Sequence, residues 1–268
     1  GIFSVGLISS TFHLANPKNA WRAFMRFRTS WLAREGLLAI LFYPILFTYL
    51  YFIYQNTYSS NLLFMQFYSF LIFIFSVFII FCTGMIYACL KTIPQWNTIL
   101  TPINYIVIGL YLGFLLVLFL LSINSYGVND YKYYILCLIA FSFIMKLIYY
   151  YKITPSRHNI NEATNAAIKI KNSNVRLLDV GHTGGTFLTD EFGFFVAEKK
   201  LKLVKLFSIF FGFVAPFMLI SSYYLLYNDI FVIFLALLVS FFGIIAERWL
   251  FFAQAKHVVN LYHGSQTV

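Results

Sequence analysis

The sequence has 268 residues, of which 61% are hydrophobic and only 10% are charged, and its mean hydropathy is +0.79. A typical soluble domain has roughly 25% charged residues, so this composition excludes a soluble enzyme, a disordered chain and a collagen-like chain. It indicates a polytopic membrane protein. The net charge of +10 is then explained by orientation in a bilayer and by contact with anionic membrane lipid, and not by binding to nucleic acid.

Six apolar stretches are each long enough for a helix that crosses the hydrocarbon core, which takes about 20 residues. They are 35–55, 62–90, 100–123, 132–151, 203–226 and 230–252. The segment before residue 13 is apolar but too short to cross, and because the sequence begins with Gly we interpret it as the end of a helix that starts earlier. The sequence therefore predicts an all-α transmembrane bundle, formed by a single anchor domain (1–268) that is truncated at its N-terminus.

The Lys and Arg residues fall almost entirely on one side of this predicted bundle. That side receives the segments 13–34, 91–99, 152–202 and 253–268. The links on the opposite side hold only Lys132, at the edge of its span. The positive-inside rule therefore predicts that the basic side is cytoplasmic.

The segment 152–202 is the one long stretch that we expect to lie outside the membrane, as a cytoplasmic loop. Its first part, TPSRHNINEATNAAIKIKN, indicates a surface helix. Its second part contains Gly181, Gly184 and Gly185, which indicate tight turns. Since no Gly-Lys-Ser/Thr follows these glycines, the segment is not a phosphate-binding loop of the Walker type.

The polar residues that could carry chemistry lie at the basic end of the predicted spans. They are His13, Arg34, Glu35, Trp96, Glu247 and Arg248. A quinone enters a protein from the lipid, its two carbonyl oxygens need hydrogen-bond donors, and its redox cycle moves two protons with two electrons. His13, Arg34 and Glu35 supply a proton shuttle, a donor and an acid, so they predict a site for quinone binding and proton transfer.

Each of these residues also has a structural explanation. Glu35 would be stabilised by the helix dipole at the start of its span, and the long side chain of Arg34 could extend to the interface. Glu247 and Arg248 could form a structural ion pair. By the same reasoning we expect Lys146 to extend to the cytoplasmic edge of the membrane.

Two other functional classes are less compatible with the sequence. Haem ligation across a bundle commonly uses histidine pairs on facing helices, and none of the five histidines lies in the middle of a span, so we expect no haem. The three cysteines form no CxxC pair, and we expect no metal. A transporter would need broken helices, for which Gly84 and Pro216 are only isolated candidates. It would also need charges at the membrane centre, where we expect none.

Four segments of the chain together resemble the membrane anchor subunits of the dimethyl sulfoxide reductase family. The run SSTFHLANPKNAWRAFMRFRTSWLAREGLLAILFYP (Ser9–Pro44) contains a histidine, a Leu-small-x-Pro turn, an Arg-Ala-Phe segment and an acidic helix start. TIPQWNTILTP (Thr92–Pro102) resembles the family's Pro-x-Trp and Thr-Pro loop. TFLTDEFGF and AERWLFFAQAKHVVNLYHG resemble segments of a proteobacterial branch that includes the anchors of sulfite dehydrogenases.

The resemblance implies an eight-helix anchor in the bacterial inner membrane, with six complete helices and one partial helix present here. Such anchors carry no haem or metal and exchange electrons between membrane quinone and a molybdopterin enzyme. The implied partners are a four-cluster ferredoxin-like iron–sulfur subunit and a molybdopterin catalytic subunit. The same resemblance implies that the basic residues of the first loop contact the iron–sulfur subunit: Lys18, Arg22, Arg26 and Arg28.

Carried over residue by residue, the resemblance matches His13 to the family's quinone-pocket histidine and Glu35 to its acidic residue at a helix start. Trp96 matches the loop tryptophan, and Arg34 is shared only with the proteobacterial branch. The basic loop favours a sulfite-dehydrogenase-like anchor that reduces quinone beside cytoplasmic catalytic subunits. The alternative is a dimethyl sulfoxide reductase anchor that oxidises menaquinol, with its catalytic subunits on the outer side.

Overall fold

The computed structural model describes residues 2–12, 17–55, 62–124, 126–153, 165, 169–170, 173, 196, 198–227 and 229–258. The described residues form helices joined by turns, with no strand among them, which confirms the predicted all-α class. The chain divides into two compact units, Gly1–Ile86 and Tyr87–Val268, which are treated separately below.

The first unit contains a short helix, a 3-10 segment and two long helices. They are α1 (Ile2–Thr11), the 3-10 helix Pro17–Arg26, α2 (Trp31–Tyr54) and all but the last residues of α3 (Leu62–Ala88). Ser30 begins α2, because its hydroxyl accepts a hydrogen bond at 3.3 Å from the backbone N–H of Ala33, as an N-cap residue does. Tyr43 in α2 donates a hydrogen bond to Ser4 of α1 at 2.9 Å.

The second unit is a bundle of four long helical rods. They are α4 (Leu100–Ile123); α5 (Lys132–Ile153), after a 3-10 turn at Asn129–Tyr131; α6 (Glu198–Ile209) and α7 (Ala215–Ser222), with π-helical turns at Phe210–Val214 and Tyr223–Tyr227; and α8 (Ile230–Ala253). The carboxylate of Asp229 caps α8 by accepting the backbone N–H of Phe231 at 3.0 Å.

Six of these helical stretches are long and apolar enough to cross a membrane. They are Trp31–Tyr54, Leu62–Ala88, Leu100–Ile123, Asn129–Ile153, Lys199–Leu225 and Ile230–Ala253. Their ends agree with the predicted spans to within four residues, so the prediction of six spans is confirmed. Helix α1 has only ten residues, or about 15 Å of helix, which is half of the hydrocarbon thickness.

The core of the second unit is packed mainly from aliphatic side chains on the inward faces of its helices, together with Tyr111, Phe213 and Tyr223. Tyr111, Leu115, Ile135, Ile220 and Ile233 are completely buried there. Many large apolar side chains on the outer faces are exposed, as expected for surfaces that meet lipid tails. This unit therefore has an ordered interior that can hold polar groups away from lipid.

The break between α6 and α7 follows from the chemistry of proline. Pro216 has no N–H to return to the carbonyl four residues earlier, which belongs to Gly212. The helix widens there into a π turn, Phe210–Val214, and the hydroxyl of Tyr111 lies 2.9 Å from the oxygen of Gly212. A polar side chain from α4 thus supplies the hydrogen bond that the proline cannot.

Helix α8 approaches this π turn so closely that the two backbones touch. A Cβ atom built at Gly243 would collide with the backbone of Gly212 and of Phe211. Only glycine at position 243 leaves room for this approach, which is the kind of helix contact that small residues allow inside membranes. The contact brings Ser240 of α8 to 2.6 Å from the Tyr111 hydroxyl.

Candidate functional site

A carboxyl group and a hydroxyl group meet between the start of α2 and the end of α3. Oγ1 of Thr83 lies 2.6 Å from Oε1 of Glu35 and 3.0 Å from the backbone oxygen of Ile79. Glu35 is the fifth residue of α2, and Thr83 lies five residues before the end of α3. The predicted site residue Glu35 therefore has a specific partner within the membrane-spanning segments.

Several residues near Glu35 and Thr83 along the two helices are small or apolar. Ala33, Ile79 and Cys82 are buried, and the Trp31 ring meets the Phe81 ring edge-on, with 5.8 Å between centroids. Such surroundings strengthen hydrogen bonds and make an unsatisfied polar group expensive. The Glu35 carboxyl is therefore held in place by its hydrogen bond and is only partly open to the surroundings.

Arg34 is adjacent to Glu35 in the chain but serves a different contact. Its Nε donates to the backbone oxygen of Phe27 at 2.8 Å, and one terminal nitrogen donates to that of Arg28 at 2.6 Å. The guanidinium also lies over the Trp31 ring, 4.1 Å from its centroid. Arg34 therefore fastens the segment before α2 to the start of that helix.

The basic residues before α2 form an exposed surface. They are Lys18, Arg22, Arg26 and Arg28. The first three belong to the 3-10 helix Pro17–Arg26, and Arg28 lies in the turn that follows. Because these side chains are exposed, they can contact an acidic surface of another protein. Their contact with an iron–sulfur subunit stays a prediction.

Some predicted features lie outside the described residues. His13 is one of them, so its place beside Arg34 and Glu35 also stays a prediction. The glycines of the 152–202 segment and most of its predicted surface helix are in the same position.

In the second unit, a buried cluster of charges joins α5 to α8. The carboxylate of Glu247 accepts two hydrogen bonds from Arg248, at 2.5 Å from Nε and 2.8 Å from a terminal nitrogen. It also forms an ion pair with Lys146. Glu247 is 0% exposed and Lys146 is 1% exposed. The expectation that Lys146 extends to the membrane edge is therefore wrong, because its charge is paired inside the bundle.

The two cations of this cluster also rest on aromatic rings. Lys146 Nζ lies 4.2 Å from the ring centroid of Tyr149 and 4.7 Å from that of Tyr150. The Arg248 guanidinium lies 4.3 Å from the centroid of Tyr105. A cation over a ring face is attracted by the ring quadrupole, most strongly where water is excluded. These contacts favour the structural explanation of Glu247 and Arg248.

Trp96 has a structural partner as well. Its Nε1 donates to the backbone oxygen of Phe251 at 2.9 Å, and the two rings stack with 5.4 Å between centroids. Tyr87 meets the Trp96 ring edge-on at 5.2 Å. The loop before α4 is thereby fixed to the end of α8, which explains why a tryptophan is suited to this position.

The sequence did not identify two side-chain partners of the candidate residues, Thr83 beside Glu35 and Lys146 beside Glu247. Lys146 lies seven residues before the end of α5 and Glu247 six residues before the end of α8, so both charges occupy a similar depth. That match of depth was visible in the sequence and could have identified the pair. The sequence offers no comparable signal for Thr83, because hydroxyls also bond to the backbone of their own helix.

Comparisons with known proteins show the family to which this chain belongs. The family model "DMSO reductase anchor subunit (DmsC)" matches residues 2–254. A sulfite dehydrogenase subunit from Allochromatium vinosum is 30% identical over 269 aligned positions, covering 97% of this chain and 82% of that protein. A comparison with solved structures found no match. The chain is a multi-pass membrane protein and belongs to the DMSO reductase anchor subunit family, whose members anchor oxidoreductases in the membrane.

Proposed function

We propose that this chain anchors a molybdopterin oxidoreductase in the bacterial inner membrane and exchanges electrons between quinone and an iron–sulfur subunit. We further propose that electrons run from sulfite toward quinone. The relative from Allochromatium vinosum, named as a sulfite dehydrogenase subunit, supports this direction. So does the basic character of the segment before α2, which the positive-inside rule assigns to the cytoplasm.

The observation that carries the proposal is the Glu35 carboxyl, held by Thr83 at 2.6 Å near the start of α2. Reduction of a quinone takes up two electrons and two protons, so the site must deliver protons to the carbonyl oxygens. A carboxyl group near the membrane edge can exchange protons with water and pass them on. In this proposal Glu35 carries one proton to the quinone.

The remaining residues take supporting parts in the proposed site. His13 is the second hydrogen-bond donor and proton shuttle for the quinone. Arg34 holds the preceding segment against α2 through the carbonyls of Phe27 and Arg28, which keeps the entrance to the site in shape. The exposed basic residues of that segment receive the iron–sulfur subunit, so that its last cluster approaches the quinone.

A mutation of Glu35 tests the proposed function. In the complete complex, with sulfite as electron donor, E35Q is expected to lower the rate of quinone reduction about 10²-fold, because the amide cannot carry a proton. D229N is the matched control, since it makes the same exchange at the cap of α8, where asparagine caps equally well.

The result is interpretable only if the variant complex is assembled, so co-purification of the partner subunits is measured in parallel. An assembled E35Q complex that reduces quinone as fast as the wild type would contradict the role of Glu35. A complex that transfers electrons only from quinol would favour the alternative, an anchor that oxidises menaquinol. The name of the matching family, a DMSO reductase anchor subunit, supports that alternative.

A further inference from the structure

The hydroxyl of Thr83 lies between two oxygen atoms but has only one hydrogen to donate. Its Oγ1 lies 2.6 Å from Oε1 of Glu35 and 3.0 Å from the carbonyl oxygen of Ile79, one turn back in α3. A threonine hydroxyl has one donor hydrogen and two acceptor lone pairs. It can therefore donate to only one of these oxygens at a time, and it can accept a hydrogen bond from Glu35 when the carboxyl is protonated.

Two hydrogen-bond arrangements fit this geometry, and they differ by one proton on Glu35. When the carboxyl is ionised, Thr83 donates to Oε1. When the carboxyl is protonated, its O–H donates to Thr83 Oγ1, and the Thr83 hydrogen turns to the oxygen of Ile79. Only the rotation of one hydroxyl separates the two arrangements, and no heavy atom has to move.

Both arrangements matter because the carboxyl is partly removed from water. A buried polar group without a partner costs about 1–3 kcal/mol, and a partly buried carboxyl that loses its partner bears part of that cost. With Thr83 present, the ionised and the protonated carboxyl each keep a hydrogen bond. Gain or loss of the proton on Glu35 therefore does not cost the carboxyl its hydrogen bond to Thr83.

Other hydroxyls of the same helices show what is particular about Thr83. Thr48 in α2 donates to the carbonyl of Pro44 at 2.8 Å, and Ser76 in α3 donates to that of Ile72 at 2.8 Å. These are ordinary bonds of a hydroxyl to its own helix. Thr83 makes the same bond and in addition contacts a carboxyl on a neighbouring helix.

We propose that Thr83 is a positioning residue that lets Glu35 gain and lose a proton without losing its hydrogen bond. The proton that leaves Oε1 passes to a quinone oxygen, and a proton from water replaces it; no electron moves through Thr83. The inference rests on the proposed function only for the identity of the proton acceptor. The hydrogen-bond exchange itself is a property of the pair Glu35–Thr83.

Infrared spectroscopy of the full chain in lipid tests the exchange directly. The C=O stretch of a protonated carboxyl lies at lower wavenumber when its O–H donates a hydrogen bond than when it does not. Difference spectra across a pH titration, with E35Q to identify the Glu35 band, report that bond. T83S keeps the hydroxyl and T83V removes it, while T48V removes a hydroxyl that contacts only its own helix.

We expect the Glu35 band to appear at the same position in the wild type, T83S and T48V, and at higher wavenumber in T83V. An unshifted band in T83V, or a Glu35 that never becomes protonated during the titration, would overturn the proposal. If T83V does not fold, T83A provides the same loss of the hydroxyl with a smaller side chain. Because no quinone is present, the outcome is independent of whether the proposed electron acceptor is correct.

A second readout uses the complete complex. T83V is expected to change the pH dependence of quinone reduction, whereas T83S restores the wild-type profile. A purely structural role of Thr83 would lower the rate equally at all pH values. That result, together with an unshifted infrared band, would reduce Thr83 to a packing residue.

Discussion

Two carboxylates of this chain are held in contrasting ways inside the membrane-spanning helices. Glu247 accepts hydrogen bonds from Arg248 and forms an ion pair with Lys146. Protonation of Glu247 would therefore leave two cations without a counter-charge. Glu35 is held by one neutral hydroxyl, which suits both of its protonation states. At the residue scale Glu247 is a fixed charge, and Glu35 is the residue to which we assign the proposed proton exchange.

Replacing Glu247 tests its role as a fixed counter-charge. E247Q is expected to lower the free energy of unfolding by about 3–5 kcal/mol, because Lys146 then stays buried without a counter-charge and the partly exposed Arg248 also loses its carboxylate partner. K146M should cost less, because Glu247 keeps its two hydrogen bonds to Arg248. Reversible unfolding in mixed micelles measures both values, and an equal cost for the two variants would show that the carboxylate is not the centre of the cluster.

Between elements, the shape of the second unit depends on the π turn before α7. Pro216 removes one helical hydrogen bond, Tyr111 of α4 replaces it at the oxygen of Gly212, and α8 packs against that site through Gly243. Three helices thus meet at one irregular turn. Since unsatisfied backbone groups are not tolerated in lipid, the irregular turn persists because protein covers it.

A methyl group at Gly243 tests this packing. G243A is expected to destabilise the protein by about 1–3 kcal/mol, since the added Cβ would displace α8 from the π turn. G113A is the matched control on the lipid-facing side of α4, where a Cβ meets no heavy atom within 4 Å. It should leave the thermal midpoint unchanged or raise it slightly. Equal midpoints for the two variants would refute the close contact.

The spans of this protein could be predicted from the sequence because the signal is local. A run of about 20 apolar residues defines a membrane helix without reference to any other part of the chain. The partners within the bundle could not be predicted in the same way. Trp96 and the carbonyl of Phe251 are 155 positions apart, and Thr83 is 48 positions from Glu35, so those contacts depend on which helices pack together.

Proline shows both sides of this limit. The sequence identifies Pro216 as a possible break in the fifth span, and the structure confirms a π turn beside it. That Tyr111 would supply the missing hydrogen bond could not be inferred from the sequence. Charge was the more misleading signal, since Lys146 near the end of a span fits a side chain extending to the interface as well as it fits a buried pair.

For the whole molecule, the proposed direction of electron flow depends on the predicted orientation in the membrane. The segments on one side carry nearly all of the Lys and Arg residues, and the charge bias of short loops sets which side stays in the cytoplasm. A cytoplasmic basic side would bring the iron–sulfur and catalytic subunits to cytoplasmic substrates.

Reporter fusions measure this orientation. In the full-length protein, a fusion after Arg28 is expected to activate a reporter that works only in the cytoplasm, and a fusion after Asn129 one that works only outside it. These positions flank three long helices, so opposite signals are required. The reverse pattern would overturn the charge argument and favour quinol oxidation for an external acceptor.

The ion pair between α5 and α8 has a consequence for how the protein is made. Glu247 is synthesised about 100 residues after Lys146, which is roughly 5–20 s at ordinary rates of translation. During this interval α5 must enter the bilayer with an unpaired ammonium group, at an insertion cost of about 2.5–3.5 kcal/mol if it were central. Tyr149 and Tyr150 belong to α5 itself, and their rings lie beside Lys146 Nζ. Cation–π contacts within the nascent helix can therefore stabilise the ammonium group until α8 is inserted.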